Sequence, residues 1–168
     1  QVRSMLRMAL LLGTQLKPLV DDLNKQLSMD MPPSRFVTAW FGMLDASTHD
    51  LHSIAAGQGP LIHLHANDEV EILSADAPPL GIMSDLMLDE PVRFHLEPGD
   101  MFFVASDGFA EAARADKEMF GNDRIVELLR AGRGKPAREI ISSIHTAVDA
   151  FTGNLPPDDD RTSVLIHR

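Results

Sequence analysis

The stretch Pro98-Gly99-Asp100-Met101-Phe102-Phe103-Val104-Ala105-Ser106-Asp107-Gly108-Phe109-Ala110-Glu111 decides the fold. Pro98-Gly99-Asp100 reads as a turn, and the unbroken apolar run after it reads as a strand buried on both faces. That strand stops at Ser106-Asp107-Gly108, which sets a carboxylate where a buried strand meets a loop. Open sheets commonly present catalytic or metal-binding groups there. Gly108 permits a sharp turn and the close approach of another group, and the Ala, Glu and Arg content of Phe109 to Ala115 predicts a short helix.

Asp and Gly are also ordinary turn residues, so Ser106-Asp107-Gly108 does not establish a site alone. Support comes from the far end of the chain. Pro156-Pro157-Asp158-Asp159-Asp160-Arg161-Thr162 leads into Ser163-Val164-Leu165-Ile166-His167, a second apolar strand with acids at its entry. If the two strands are antiparallel neighbours, the exit of one and the entry of the other share an edge. Asp107 and Asp159 then converge on a place for a divalent cation.

Composition narrows the chemistry. At 168 residues the chain is expected to form one domain over 1–168. It has no cysteine, which excludes disulfides, thiolate zinc sites and cysteine nucleophiles, and any catalytic metal must take oxygen or imidazole ligands. A formal charge of -10 opposes broad binding to nucleic acid or to an anionic membrane. It also means that a phosphorylated substrate needs a local positive source. No stretch has the length of a membrane span and none has a signal-peptide pattern, so a cytoplasmic location is expected. Gln1 falls inside a predicted helix, as in a fragment of a longer chain.

Working outward, Val2 to Leu12 and Pro18 to Leu27 read as helices, the second stopped at Pro32-Pro33, with Asp21 and Asp22 on a solvated face. Phe36 to Leu44 and Leu51 to Ala56 read as a strand meander, with Trp40 as a core residue. Leu61 to His65 and Glu69 to Leu73 pair as a hairpin about Asn67-Asp68, and Pro91 to Leu96 is a further strand. Asp123 to Leu129 and Pro136 to Phe151 read as helices, and Gly153 to Pro157 as a flexible approach to the last strand. Gly132-Arg133-Gly134-Lys135 lacks the Gly-Lys-Ser/Thr order of a phosphate cradle.

Asp107-Gly108 with Glu111 resembles a D-G-x-x-E motif, and Asp159-Asp160-Arg161-Thr162 resembles a D-D-x-T motif. Both belong to the PPM-type, metal-dependent serine/threonine protein phosphatases of the bacterial SpoIIE-like branch. Further segments agree in order: Arg35 to Ala39, Leu44-Asp45, Ala56 to Leu61, Pro79 to Ile82, Leu96 to Asp100, and Met119-Phe120-Gly121. The resemblance runs from about Met5 to His167. It implies an α/β fold whose core is a mostly antiparallel β-sandwich flanked by helix pairs (α-β-β-α layers), truncated at its N-terminus.

The resemblance further implies Asp107 and Asp159 as metal ligands, with Gly108, Asp160 and Glu111 in support, Glu111 by fixing the local turn. Asp158 has no counterpart and reads as solvated. Gln58 stands where many relatives have His, so Gly57-Gln58 carries no catalysis. Two Mg²⁺ or Mn²⁺ ions would activate a bridging water for attack on phosphoserine or phosphothreonine, and no other catalytic residue is implied. The implied substrate is a phosphorylated regulator of the anti-sigma-factor antagonist type, in a signalling or stress-response setting. An upstream sensor or receiver domain and a homodimer are further partners to consider. Relatives carry two upstream motifs, Gly-Asp-x-x-Asp and Asp-x-x-Gly-His-Gly, that are absent here, so the chain by itself is expected to be a poor catalyst. The rival reading is a non-catalytic regulatory or dimerisation module on the same scaffold.

One other pattern competes. Gly57, His63-Leu64-His65 and Glu69 have the spacing of the first metal motif of cupins, but the later histidine of that family has no counterpart on a strand. His63 and His65 are therefore read as exposed alternate positions of an outer strand.

Overall fold

The computed structural model describes residues 2–32, 34–153 and 159–168. Pro33, Asp158 and most of the predicted approach at 153–157 lie outside the described residues, and the readings made of them are left there. The first half runs α1 (Val2–Leu11), α2 (Leu16–Asp30), β1 (Ala39–Asp45), β2 (Asp50–Ala56), β3 (Leu61–Leu64) and β4 (Val70–Leu73). The second runs β5 (Val92–His95), β6 (Met101–Ala105), α3 (Asp107–Ala110), α4 (Gly121–Ala131), α5 (Ala137–Thr152) and β7 (Ser163–His167). The fold is mixed α/β with antiparallel sheets, as the alternation of periods predicts. The chain divides into two compact units, one of residues 2–58 and 75–95, the other of 59–74 and 96–168. No described helix is long and apolar enough to cross a membrane.

The first unit is a three-stranded antiparallel sheet in the order β1-β2-β5. Helix α2 repeats Leu16, Leu19, Val20, Leu23 and Leu27 at helical spacing, and that stripe packs with Phe41, Ile54 and Leu80 in a buried core. Asn24 is buried on the same helix. Its amide donates to the carbonyls of Met83 and Ser84 and accepts from the Gly81 N–H, which ties the 81–84 loop to α2. Trp40 departs from expectation. It is half-buried, lies across Gly42 and donates Nε1–H to Ser53 Oγ at 2.7 Å. A strand at the sheet's edge has open space over a glycine, and a large ring fills it more readily than it enters a packed core.

Asp50 opens β2 and pairs across to β5, accepting from Arg93 Nη2 at 2.8 Å and meeting His95 Nδ1 at 2.9 Å. Arg93, and after it His95, hold its carboxyl well below the usual carboxylate range. A depressed folded-state pKa gives stability that is complete above the unfolded value, about 3.9, and is lost progressively as pH falls from there toward the much lower folded value. The melting temperature is therefore expected to drop as pH falls below about 4 and to go on dropping below about pH 3. The drop should be smaller in Asp50→Asn, and equal slopes for the two proteins by thermal scans would remove Asp50 from the cause.

The second unit is a four-stranded antiparallel sheet in the order β4-β3-β6-β7. Every residue of β6 is buried, as its unbroken apolar run predicts. Met101, Phe103 and Ala105 share one face with Ile62 and Leu64, under Ile125, Leu129, Ile140, Ile144 and Val148 of α4 and α5. Helix α5 ends at Gly153, whose left-handed conformation (φ 69°) lets its N–H reach back to the Ala150 carbonyl.

Two expectations are corrected here. The helix predicted over 109–115 is instead the single turn α3, ending where the Glu111 N–H bonds to the Asp107 carbonyl. Beyond it Ala113 bridges to Met119 around a turn with Lys117 at φ 68°, so tertiary pairing overrides the helix propensity of Ala110-Glu111-Ala112-Ala113-Arg114. Strand β3 is an inner strand, with β4 on one side and β6 on the other. His63 is 3% exposed rather than solvated, because Phe102 and the β4 hairpin flank it on a sheet that the local pattern could not order.

Candidate functional site

Strands β6 and β7 are antiparallel neighbours, and their last aligned pair is Ala105 with Ser163. The segment leaving β6 and the segment entering β7 therefore lie side by side, as the sequence reading requires of Asp107 and Asp159. Ser106 fastens them. Its N–H donates to the Thr162 carbonyl at 2.9 Å, its Oγ donates to the Asp160 carbonyl at 2.9 Å, and the same Oγ accepts from the Thr162 N–H at 3.0 Å. The sequence reading passed over Ser106, since serine at a strand end has no distinguishing local pattern.

Asp107 is the first residue of α3 and is exposed, and Asp159 and Asp160 are exposed on the facing segment. Asp159 Oδ1 accepts from the Asp160 N–H at 2.7 Å. Glu111 is exposed, and its backbone closes α3 on Asp107. Arg161, also passed over in the sequence reading, turns inward and pairs with Asp149 of α5. That ion pair anchors the acidic segment to a helix.

Gly108 explains why the two segments can lie so close. A Cβ built there would stand 2.7 Å from the Asp160 carbonyl oxygen and 3.4 Å from that of Asp159. Its role is close approach of a second backbone, one of the two roles the sequence reading gave it. Gly108→Ala is expected to cost about 1–3 kcal/mol, as forced overpacking does. A urea midpoint equal to wild type would show that the 159–160 segment does not rest on Gly108.

These residues fit a hard divalent cation in chemistry, since the donors are carboxylates. The donor set is partial. Among the described residues, Asp107, Asp159 and Asp160 do not form a set of three side chains with ligand atoms within 4.8 Å of one another; His63, His65 and Glu71 do.

That other cluster sits at the start of β6. Asp100 is buried and its carboxylate accepts from the Ala66 N–H at 2.8 Å and the Glu97 N–H at 3.0 Å, with His63 Nε2 at 3.2 Å. Burial works to raise its pKa, but these donors outweigh burial and hold it below the usual carboxylate range. Burial, with His65 second, pushes His63 down from the usual imidazole value, so its ring is neutral near pH 7. Glu69, the acid of the expected spacing, instead bonds Asn67 within the hairpin turn. The register of β3 with β4 brings Glu71 opposite His63.

Comparisons with known proteins concern the chain as a whole. All of residues 1–168 match the family model described as Stage II sporulation protein E (SpoIIE). Protein IcfG of Synechocystis is 29% identical over 135 residues, which is 79% of this chain and 21% of that protein. The RsbU and RsbW domains of Rv1364c from Mycobacterium tuberculosis superpose with a TM-score of 0.76 at 20% identity, over 98% of this chain and 45% of that one. The manganese-presoaked phosphatase domain of SpoIIE from Bacillus subtilis gives a TM-score of 0.63 at 20% identity, over 99% of this chain and 69% of that one. The chain thus spans about a fifth of the length of its curated relative.

Proposed function

The chain belongs to the SpoIIE family, and from that premise we propose that it is the C-terminal part of a PPM-type phosphatase domain that removes phosphate from phosphoserine or phosphothreonine on a regulatory protein. The observation that carries the reading is the Ser106 clamp, which holds the segment leaving the buried strand β6 against the 160–162 segment that enters β7.

We assign Asp107 and Asp159 as ligands for Mn²⁺ or Mg²⁺. When bound, such ions offset the charge of the phosphoryl oxygens and lower the pKa of water. The chain's own residues supply position. Ser106 and Gly108 set the spacing of the two segments, Arg161 holds the second through Asp149, and Glu111 closes the turn that carries Asp107. Asp160 gives a further carboxylate beside Asp159. With a formal charge of -10, the protein repels a phosphorylated substrate as a whole, which makes a cation at these aspartates a requirement for binding. Anti-sigma-factor antagonists in the cytoplasm are the substrate class we favour, as the motif resemblance of Asp107-Gly108 and Asp159 to Thr162 implies.

A second reading is favoured by the partial donor set: a regulatory or dimerisation module that keeps the scaffold without turnover. The two separate on one assay. The full-length protein is expected to release phosphate from a phosphoserine protein only with Mn²⁺ or Mg²⁺ and to stop with EDTA. No release with either ion would favour the module, and release in EDTA would exclude the metal mechanism.

A further inference from the structure

We propose that His63, His65 and Glu71 bind one divalent transition-metal ion of the zinc type, at the end of β6 remote from Asp107. Residues two apart in extended chain face the same side, so β3 and the residue that follows it present both imidazoles together, and the β3–β4 register sets Glu71 opposite His63. The rings stand 3.9 Å apart between centroids, tilted by 41°. One ligand atom from each of the three side chains lies within 4.8 Å of the others. His65 Nε2 is 3.3 Å from Glu71 Oε1. Two donors each about 2.05 Å from a tetrahedral ion are roughly 3.4 Å apart, so this imidazole and this carboxylate already stand at the separation of two ligands on one ion.

The surroundings fit as well. Asp100 has both oxygens fixed by backbone N–H groups and places Oδ2 3.2 Å from His63 Nε2. An outer carboxylate of that kind fixes the orientation and tautomer of a ligating histidine. Exposure grades from floor to mouth: the His63 side chain is 4% exposed, His65 27% and Glu71 53%, which leaves an entry path on one side. Two imidazoles with one carboxylate suit zinc, cobalt, nickel or copper, whereas Mg²⁺ and Ca²⁺ prefer oxygen donors throughout. The five residues of β6 span about 17 Å at a strand's rise, so an ion here does not share ligands with Asp107. It would instead tie β3, β4 and, through Asp100, the turn that opens β6.

The test uses the untagged full chain, stripped with EDTA and dialysed, and titrated with Co²⁺ alone. We expect a visible d–d absorption band of four- or five-coordinate cobalt that saturates at one equivalent and is displaced by Zn²⁺. His65→Ala and Glu71→Gln should each weaken Co²⁺ binding at least about 100-fold, beyond the 10–100-fold typical of losing an outer partner. The double variant Asp107→Asn with Asp159→Asn should keep the band. His63→Ala removes a buried ring and endangers folding, so the two more exposed positions carry the decision. Absence of a Zn²⁺-displaceable band overturns the proposal, as does a band that survives both His65→Ala and Glu71→Gln or disappears in the aspartate double variant.

Discussion

Asp107→Asn in the full-length protein is expected to lower Mn²⁺-dependent hydrolysis of p-nitrophenyl phosphate by about 10²–10³-fold, with the circular dichroism spectrum unchanged. Asn keeps the shape of Asp and its place at the start of α3 but removes the charge that holds a cation. Lewis-acid stabilisation is worth several kcal/mol, and each 1.36 kcal/mol is tenfold in rate. Asp159→Asn should lose a similar factor, and the double variant little more, because groups that hold one ion act as a unit. The Mn²⁺ concentration for half-maximal rate separates this from a structural role: it should rise in each single variant, whereas mere loosening of α3 lowers the rate at constant metal dependence. Wild-type turnover in both variants would remove the two aspartates from the site.

Much of this site was legible because it rests on period and adjacency. An apolar run bounded by turn residues defines β6 and a second defines β7, and their antiparallel pairing sets the exit of one beside the entry of the other. What holds their ends was not legible. Ser106 acts through the simultaneous donor and acceptor roles of one hydroxyl, and Arg161 through a turn inward to α5, and neither leaves a local pattern in sequence. The histidines failed for a different reason. Alternation told correctly that His63 and His65 share a face, but whether that strand is inner or outer is a property of sheet order, set by β6 far along the chain. The same gap hid Glu71. Spacing alone pointed to Glu69, and only the register of β4 decides which acid meets the rings.

Asp100 shows how a residue read as a turn former becomes a support of the core. Its replacement by Ala is expected to cost about 3–6 kcal/mol, since two hydrogen bonds from backbone N–H groups to a charged carboxylate are lost at roughly 1.5–3 kcal/mol each. The change strands the N–H groups of Ala66 and Glu97 and takes the carboxylate from His63, all at a site where Asp100 is 1% exposed. Asp100→Asn should cost less, about 1–3 kcal/mol, since its carbonyl still accepts one N–H while its amide faces the other donor. Asp22→Ala, in an exposed ion pair 4.0 Å from Lys25, supplies the control and should fall within about 0.5 kcal/mol of wild type. Urea midpoints of the three variants test the order Ala, then Asn, then control. If Asp100→Ala instead lies within about 1 kcal/mol of wild type, less than one such hydrogen bond is worth, backbone bonds alone hold the turn. Those are Asp100 N–H to the Glu97 carbonyl, Gly99 N–H to the Arg168 carbonyl and Arg168 N–H to the Asp100 carbonyl. The entry of β6 would then be fixed by its pairing with the chain's last residue rather than by the carboxylate, and His63 would be held by packing against Phe102.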